Sequence, residues 1–162
     1  MKLHGTHRIS FDTVRSLAIC CHALDISAYH LLYDSTHTNK DGKTKATYEE
    51  LLTSQLLALA IALRTKFYQG QDHEVTVPYV LNCGFLFKYK NGKEQSATFS
   101  IKDVCDKIIH ANTVSRHLEC GDKVPTTTLQ GQAQDKSEWE MSMSVSLFAE
   151  AVLNWVQDVQ DT

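Results

Sequence analysis

The sequence carries no excess of positive charge: 16 Lys and Arg stand against 19 Asp and Glu, a formal net charge of −3. A dedicated duplex-DNA binder needs a basic field to displace counterions, so the composition argues against one and leaves room only for a local basic patch. Glycine is scarce and scattered, 7 in 162 residues, which excludes a glycine-rich loop cradling a phosphate. Gly-x-Ser-x-Gly and His-Glu-x-x-His are both missing, so neither a nucleophile elbow nor a zinc-protease helix is encoded. The cysteines are Cys20, Cys21, Cys83, Cys105 and Cys120, an odd number with no CxxC, which speaks against a disulfide framework or a zinc ribbon. Reduced thiols in a cytoplasm are the expectation. The most apolar stretch, Leu56 to Leu63, is too short to cross a bilayer, and Met1 to Gly5 do not open a secretion signal. These absences predict a cytoplasmic protein with no membrane segment, no cofactor and no metal.

What is present reads as one globular domain over residues 1–162, with 43% hydrophobic and 22% charged residues. Apolar residues recur at Phe11, Val14, Leu17, Ala18, Cys21, Leu24, Ala28, Leu31 and Leu32, the three- and four-residue steps of an amphipathic helix. Ser10 is its N-cap, because a hydroxyl there can accept from a free first-turn amide. Asp34 to Lys45 reads as an exposed loop. A capping box at Thr47-Tyr48-Glu49-Glu50 then predicts a second helix, apolar through Leu52, Leu56, Leu59, Leu63 and Phe67. The pair should pack as an antiparallel hairpin.

The pattern then turns to β. Val75 to Pro78 and Phe85 to Tyr89 are β-rich, and Asn91-Gly92 predicts a tight turn returning through Gln95 to Phe99. Ser100 to Asp103 opens a short helix whose inner face is Ile101, Val104, Cys105 and Ile108. After Ala111 the strand pattern resumes. Leu129 to Gln134 and Trp139 to Val145 flank the turn Asp135-Lys136-Ser137, with Trp139, Met141, Met143 and Val145 alternating against polar residues. Phe148, Val152, Trp155 and Val159 mark a last helix. The expected fold is α+β: a long antiparallel helical hairpin, two β-hairpins in one small antiparallel sheet, a short central helix and a C-terminal helix. One sheet is expected because an isolated hairpin is marginal in water.

On the short helix, Asp103, Asp106, Lys107 and His110 share a face. Asp106 could accept from His110 and fix its tautomer, and a His so held can work as a general acid or base near neutral pH. Asp106-Lys107-Ile108-Ile109-His110 resembles the end of the motif helix of HEPN domains, a helical family of bacterial defence and toxin ribonucleases. In that family an Arg opens the motif and a His closes it, and the two converge in a cleft, usually across a dimer, to cleave RNA. Here the Arg position is Cys105, and a thiol supplies no permanent cation. The resemblance therefore implies either a non-catalytic relative or an arginine borrowed from elsewhere, with Arg64 and Arg116 as candidates.

Three further groups carry side chains suited to chemistry. Cys20-Cys21-His22 cannot close on one ion from a helix, where neighbours point about 100° apart. His110, His117 and Cys120 lack an evident fourth zinc ligand. Phe85 to Lys90 alternates aromatic residues with Lys88 and Lys90, which could stack single-stranded bases beside a positive edge; with Arg116 these lysines are the candidate nucleic-acid contacts. Two functions follow. One is a non-enzymatic interaction or regulatory protein of a bacterial or mobile-element system, able to form a homodimer. The other is a HEPN-like RNA-binding or RNA-cleaving protein, metal-independent, with His110, Asp106 and Arg64 at its centre. The protein partner itself is not encoded in any motif.

Overall fold

The computed structural model describes residues 8–34, 42–69 and 99–161, and the backbone of 84–89. The first helix, α1 (Phe11–Ala28), is capped by Ser10, whose hydroxyl accepts from the Thr13 N–H at 3.1 Å. Its buried stripe is Val14, Ala18, Cys21, Asp25 and Ala28. The α-helical pattern stops earlier than the apolar periodicity predicts. Tyr29–Tyr33 form a π-helical turn, closed by the Asp34 N–H donating to the Tyr29 carbonyl at 2.8 Å.

The second helix, α2 (Gly42–Gln69), begins more than a turn before the expected capping box. Lys43, Lys45 and Ala46 favour helix, and Lys45 pairs with Glu49 one turn on at 3.8 Å, so the helix runs through Thr47. The segment 42–45 is thus helix rather than loop. The two helices are antiparallel as expected: Lys66 and Gln69, late in α2, bond the backbone of Ile9 just before α1.

After β1 (Gly84–Tyr89) comes α3 (Ile101–Ile109), opened by a complete capping box between Ser100 and Asp103. Then follow β2 (Ala111–His117), β3 (Thr126–Gln132), β4 (Glu138–Met143) and α4 (Val145–Gln160). The four strands form one antiparallel sheet in the order β1-β4-β3-β2. The β3–β4 hairpin is the one the alternation predicts. The expected return strand after Asn91-Gly92 and the segment at Val75 lie outside the described residues; β1 pairs with β4.

One face of the sheet is apolar and covered: Leu129 faces Met141, and Thr127 faces Met143, all buried. The helices lie against it, α1 packing on both α2 and α4, and α2 on α3. The core is continuous from Val14 and Leu59 through Cys105 and Met141 to Phe148. The opposite face is polar, with Gln130 donating to Glu140 at 2.7 Å and Thr113 donating to Gln130 at 3.0 Å.

Candidate functional site

The motif-bearing helix α3 is short, and both of its ends are fixed. At its N-terminus Asp103 accepts from the backbone N–H and the hydroxyl of Ser100, at 2.9 and 2.8 Å, so this carboxylate caps the helix instead of joining the Asp106–His110 face. At its C-terminus His110 is the C-cap, its N–H donating to the Asp106 carbonyl at 3.0 Å. The inner face is as expected, with Ile101, Val104, Cys105 and Ile108 buried.

Cys105 occupies the motif's Arg position and is fully buried. Burial pushes its thiol well above the ordinary range, since a thiolate there would lose its hydration. The residue is a core contact and stays neutral.

Arg64 comes to α3 from the neighbouring α2. Its Nη1 is shielded from solvent and lies 2.6 Å from Oδ1 of Asp106, off the line of its own N–H bonds, so the contact is an ion pair. Its Nη2 donates to the Tyr68 hydroxyl at 2.6 Å, with the guanidinium 5.0 Å from the Tyr68 ring centre. The spacing along α3 predicts a bond from the His110 ring to Asp106. The structure turns this carboxylate to Arg64, because a guanidinium from the facing helix is a stronger charge partner than an imidazole exposed at the helix end. The structure thus brings Arg64 and Asp106 together, with exposed His110 one turn further along.

Beyond His110 lies a groove of about 210 Å³ lined by Asp106, Lys107, His110, Gln132, Gln134 and Trp139. Its floor is built by close packing. Lys107 Nζ sits 4.3 Å above the Trp139 ring, a cation–π contact joining α3 to β4. Trp139 pairs in register with Gly131 of β3. A Cβ at Gly131 would stand 2.2 Å from Cζ2 of Trp139 and 2.8 Å from the His110 carbonyl oxygen, so only glycine lets the indole and the end of α3 close over the strand. The only local sign of this arrangement in the sequence is a glycine inside a strand, which signals such a close approach. A wider trough of about 330 Å³ opens on the polar sheet face between Asn112, Thr113, Gln130, Gln132, Glu138 and Glu140.

Arg116, a candidate for the borrowed arginine and for a nucleic-acid contact, is buried instead. Its guanidinium bonds Asp25, the Tyr48 hydroxyl at 2.9 Å and Thr127 Oγ1 at 3.2 Å. Val114 and Arg116 stand opposite the buried Leu129 and Thr127, on the face of the sheet turned to the helices, which carries this side chain inward. Asp25 also accepts from the Ser146 N–H at 2.7 Å. Burial pushes the Asp25 carboxyl upward, while Arg116 and the Ser146 amide pull against that shift. Lys88 stands opposite Trp139 in register, and Lys90 lies outside the described residues.

Cys20 is exposed and Cys21 buried, while His22 Nε2 lies 2.9 Å from Glu150. Among the described residues, no group of three or more His, Cys, Asp or Glu side chains could hold a metal ion, so His110, His117 and Cys120 do not form a shared site. Among the same residues no helix is long and apolar enough to cross a membrane. Comparison with protein-family models, with curated proteins and with solved structures finds no match for the chain.

Proposed function

We propose that this chain is a non-enzymatic interaction or regulatory protein of a bacterial or mobile-element system, built on a HEPN-like module that has lost its motif arginine. The observation that carries the reading is the Arg64–Asp106 pair. The carboxylate that would hold the His110 ring is committed to a cation, and that cation is committed in turn to the carboxylate and to Tyr68. The remaining features are consistent with this. Arg116 is consumed by Asp25, and the motif position Cys105 is a neutral core residue. A homodimer and an unidentified protein partner belong to the same reading, as does a cytoplasmic location.

One observation favours a second reading. Arg64 does reach the motif helix, one turn before His110, and Lys107 and His110 line the same groove. In that reading RNA displaces the Asp106 carboxylate from Arg64, which then holds a phosphate while His110 acts as acid or base without a metal. Lys88 and Lys90 would contribute positive charge. Incubating purified protein with single-stranded RNA, beside a His110→Ala control, separates the two. The interaction reading expects no cleavage from either protein. Cleavage by the wild type that disappears in the folded variant would establish the ribonuclease.

A further inference from the structure

We propose that the trough on the polar face of the sheet receives an arginine side chain of the protein partner, its guanidinium held between the carboxylates of Glu138 and Glu140. The inference deepens the interaction reading and rests on it.

The trough is a hollow of about 330 Å³ whose lining holds two carboxylates and, among the described residues, no Lys, Arg or His. Glu138 and Glu140 are two positions apart on β4, so they share a face, with about 7 Å between their Cα atoms. Across β3 they meet two exposed amides, Gln132 opposite Glu138 and Gln130 opposite Glu140.

Hydrogen bonds between these side chains engage both amide nitrogens. Thr113 donates to Oε1 of Gln130 at 3.0 Å, which turns Nε2 of that amide to Oε2 of Glu140 at 2.7 Å. Nε2 of Gln132 donates to the Lys136 carbonyl at 3.2 Å. Oε1 of Glu140, the carboxylate of Glu138 and Oε1 of Gln132 are left as acceptors for a ligand. The group that matches them is a cation with several N–H donors. A phosphate backbone would meet two like charges and no counterion to replace.

β1 narrows the choice to a planar cation. Its register sets Phe87 opposite Glu140, Tyr89 opposite Glu138 and Phe85 opposite Ser142. Directly opposed residues of neighbouring strands belong to one face of a sheet, so an aromatic row runs beside the carboxylate row. Lys88 belongs to the other face, opposite Trp139. The alternation from Phe85 to Lys90 suggests stacked bases beside a positive edge, whereas the register sets the aromatic row beside two carboxylates. Arginine suits both rows. Its rigid fork of five donors pairs with carboxylates, and its flat face stacks on aromatic rings; lysine offers three donors from a single point.

Heteronuclear NMR of the labelled full chain, titrated with the blocked tripeptide Gly-Arg-Gly, tests the proposal. The side-chain amide signals of Gln130 and Gln132 should shift and saturate in the millimolar range. Blocked Gly-Lys-Gly should bind at least about threefold more weakly, and Gly-Glu-Gly should leave these signals in place. The double variant Glu138→Gln, Glu140→Gln keeps the shape of both side chains and removes their charge. It should bind Gly-Arg-Gly at least about tenfold more weakly, with the backbone signals of a folded protein. No shift at Gln130 and Gln132 up to about 50 mM Gly-Arg-Gly would overturn the proposal. Equal binding of the lysine peptide would overturn it too, as would an affinity that the double variant leaves unchanged. Shifts produced by a short oligouridine and not by Gly-Arg-Gly would give the trough to nucleic acid instead. None of these outcomes touches the RNA assay, where cleavage lost in His110→Ala would overturn the interaction reading itself.

Discussion

Arg116 of β2 and Asp25 of α1 are 91 positions apart in sequence and share an ion pair that is buried on both sides. The pair does not stand alone. Tyr48 of α2 accepts from Arg116 and donates to the Leu24 carbonyl, and the first-turn amide of Ser146 in α4 donates to Asp25. Three helices and two strands thus meet on one carboxylate and one guanidinium. A buried pair of this kind is weak evidence for net stability, since desolvation offsets much of the attraction. Removing one partner is another matter, because it leaves a bare charge inside.

Asp25→Ala should therefore lower stability by about 3–5 kcal/mol. The double variant Asp25→Ala, Arg116→Met should lose less than the sum of the two single losses, since the second change removes the stranded charge. Urea denaturation of the four proteins checks this. Additive losses would mean that the two side chains do not act as a unit.

Gly131→Ala would force a methyl into the Trp139 ring and the end of α3. Overpacking of this kind costs about 1–3 kcal/mol. In a Trp155→Phe background, which leaves Trp139 as the only indole, the substitution should also shift its fluorescence to the red as the ring is displaced. An unchanged spectrum and melting temperature would contradict the packing described here.

The thiols divide by position. Cys20 and Cys120 are exposed and should be alkylated in the native protein, whereas Cys21 and Cys105 should react only after unfolding. Peptide mapping by mass spectrometry after brief alkylation would show the split. Burial pushes the Cys21 thiol up to about 12, and Cys105 is raised in the same way. Both folded groups hold their protons where the unfolded thiols release theirs. Their contribution is complete below the unfolded value and falls away as pH rises from about 9 toward 12, by up to about 1.4 kcal/mol per pH unit for each thiol. Replacing Cys21 and Cys105 with Ala should flatten that alkaline slope in pH-dependent denaturation.

Arg64→Ala should cost little, about 1 kcal/mol or less, because its pair with Asp106 is partly open to solvent. A double-mutant cycle with Asp106→Ala measures the coupling. A much larger value would give the pair a structural weight comparable to Asp25–Arg116.

The helices were legible in the sequence because a buried face writes its period into the residues. Val14, Ala18 and Cys21 mark α1, and Leu52, Leu56, Leu59 and Leu63 mark α2. Ser100 and Asp103 announced the start of α3 directly. The β3–β4 hairpin was readable because Trp139, Met141 and Met143 alternate against solvent-facing neighbours. β2 was given no bounds of its own, since most of its residues are exposed and Val114 is its one large apolar side chain. Asp25, a charged residue within the buried stripe of α1, gave no signal of its role. Its partner lies on another element, and a pair formed by folding leaves no local pattern. The candidate site was half legible: the order Asp106-Lys107-His110 was visible, but Arg64 reaches Asp106 across a helix interface that spacing along the chain cannot encode.

The packing of α1 against α4 bears on how the protein is made. Asp25 leaves the ribosome 121 positions ahead of Ser146, whose amide it accepts. At a synthesis rate of about 5–20 residues per second, its carboxylate waits on the order of ten seconds for that donor. Through that interval α1 has α2 to lean on, while its other side, along which α4 will lie, stays uncovered. The nascent chain is therefore open to chaperones along α1 until the β3–β4 hairpin and α4 emerge, and α1 is closed over only once α4 has been made.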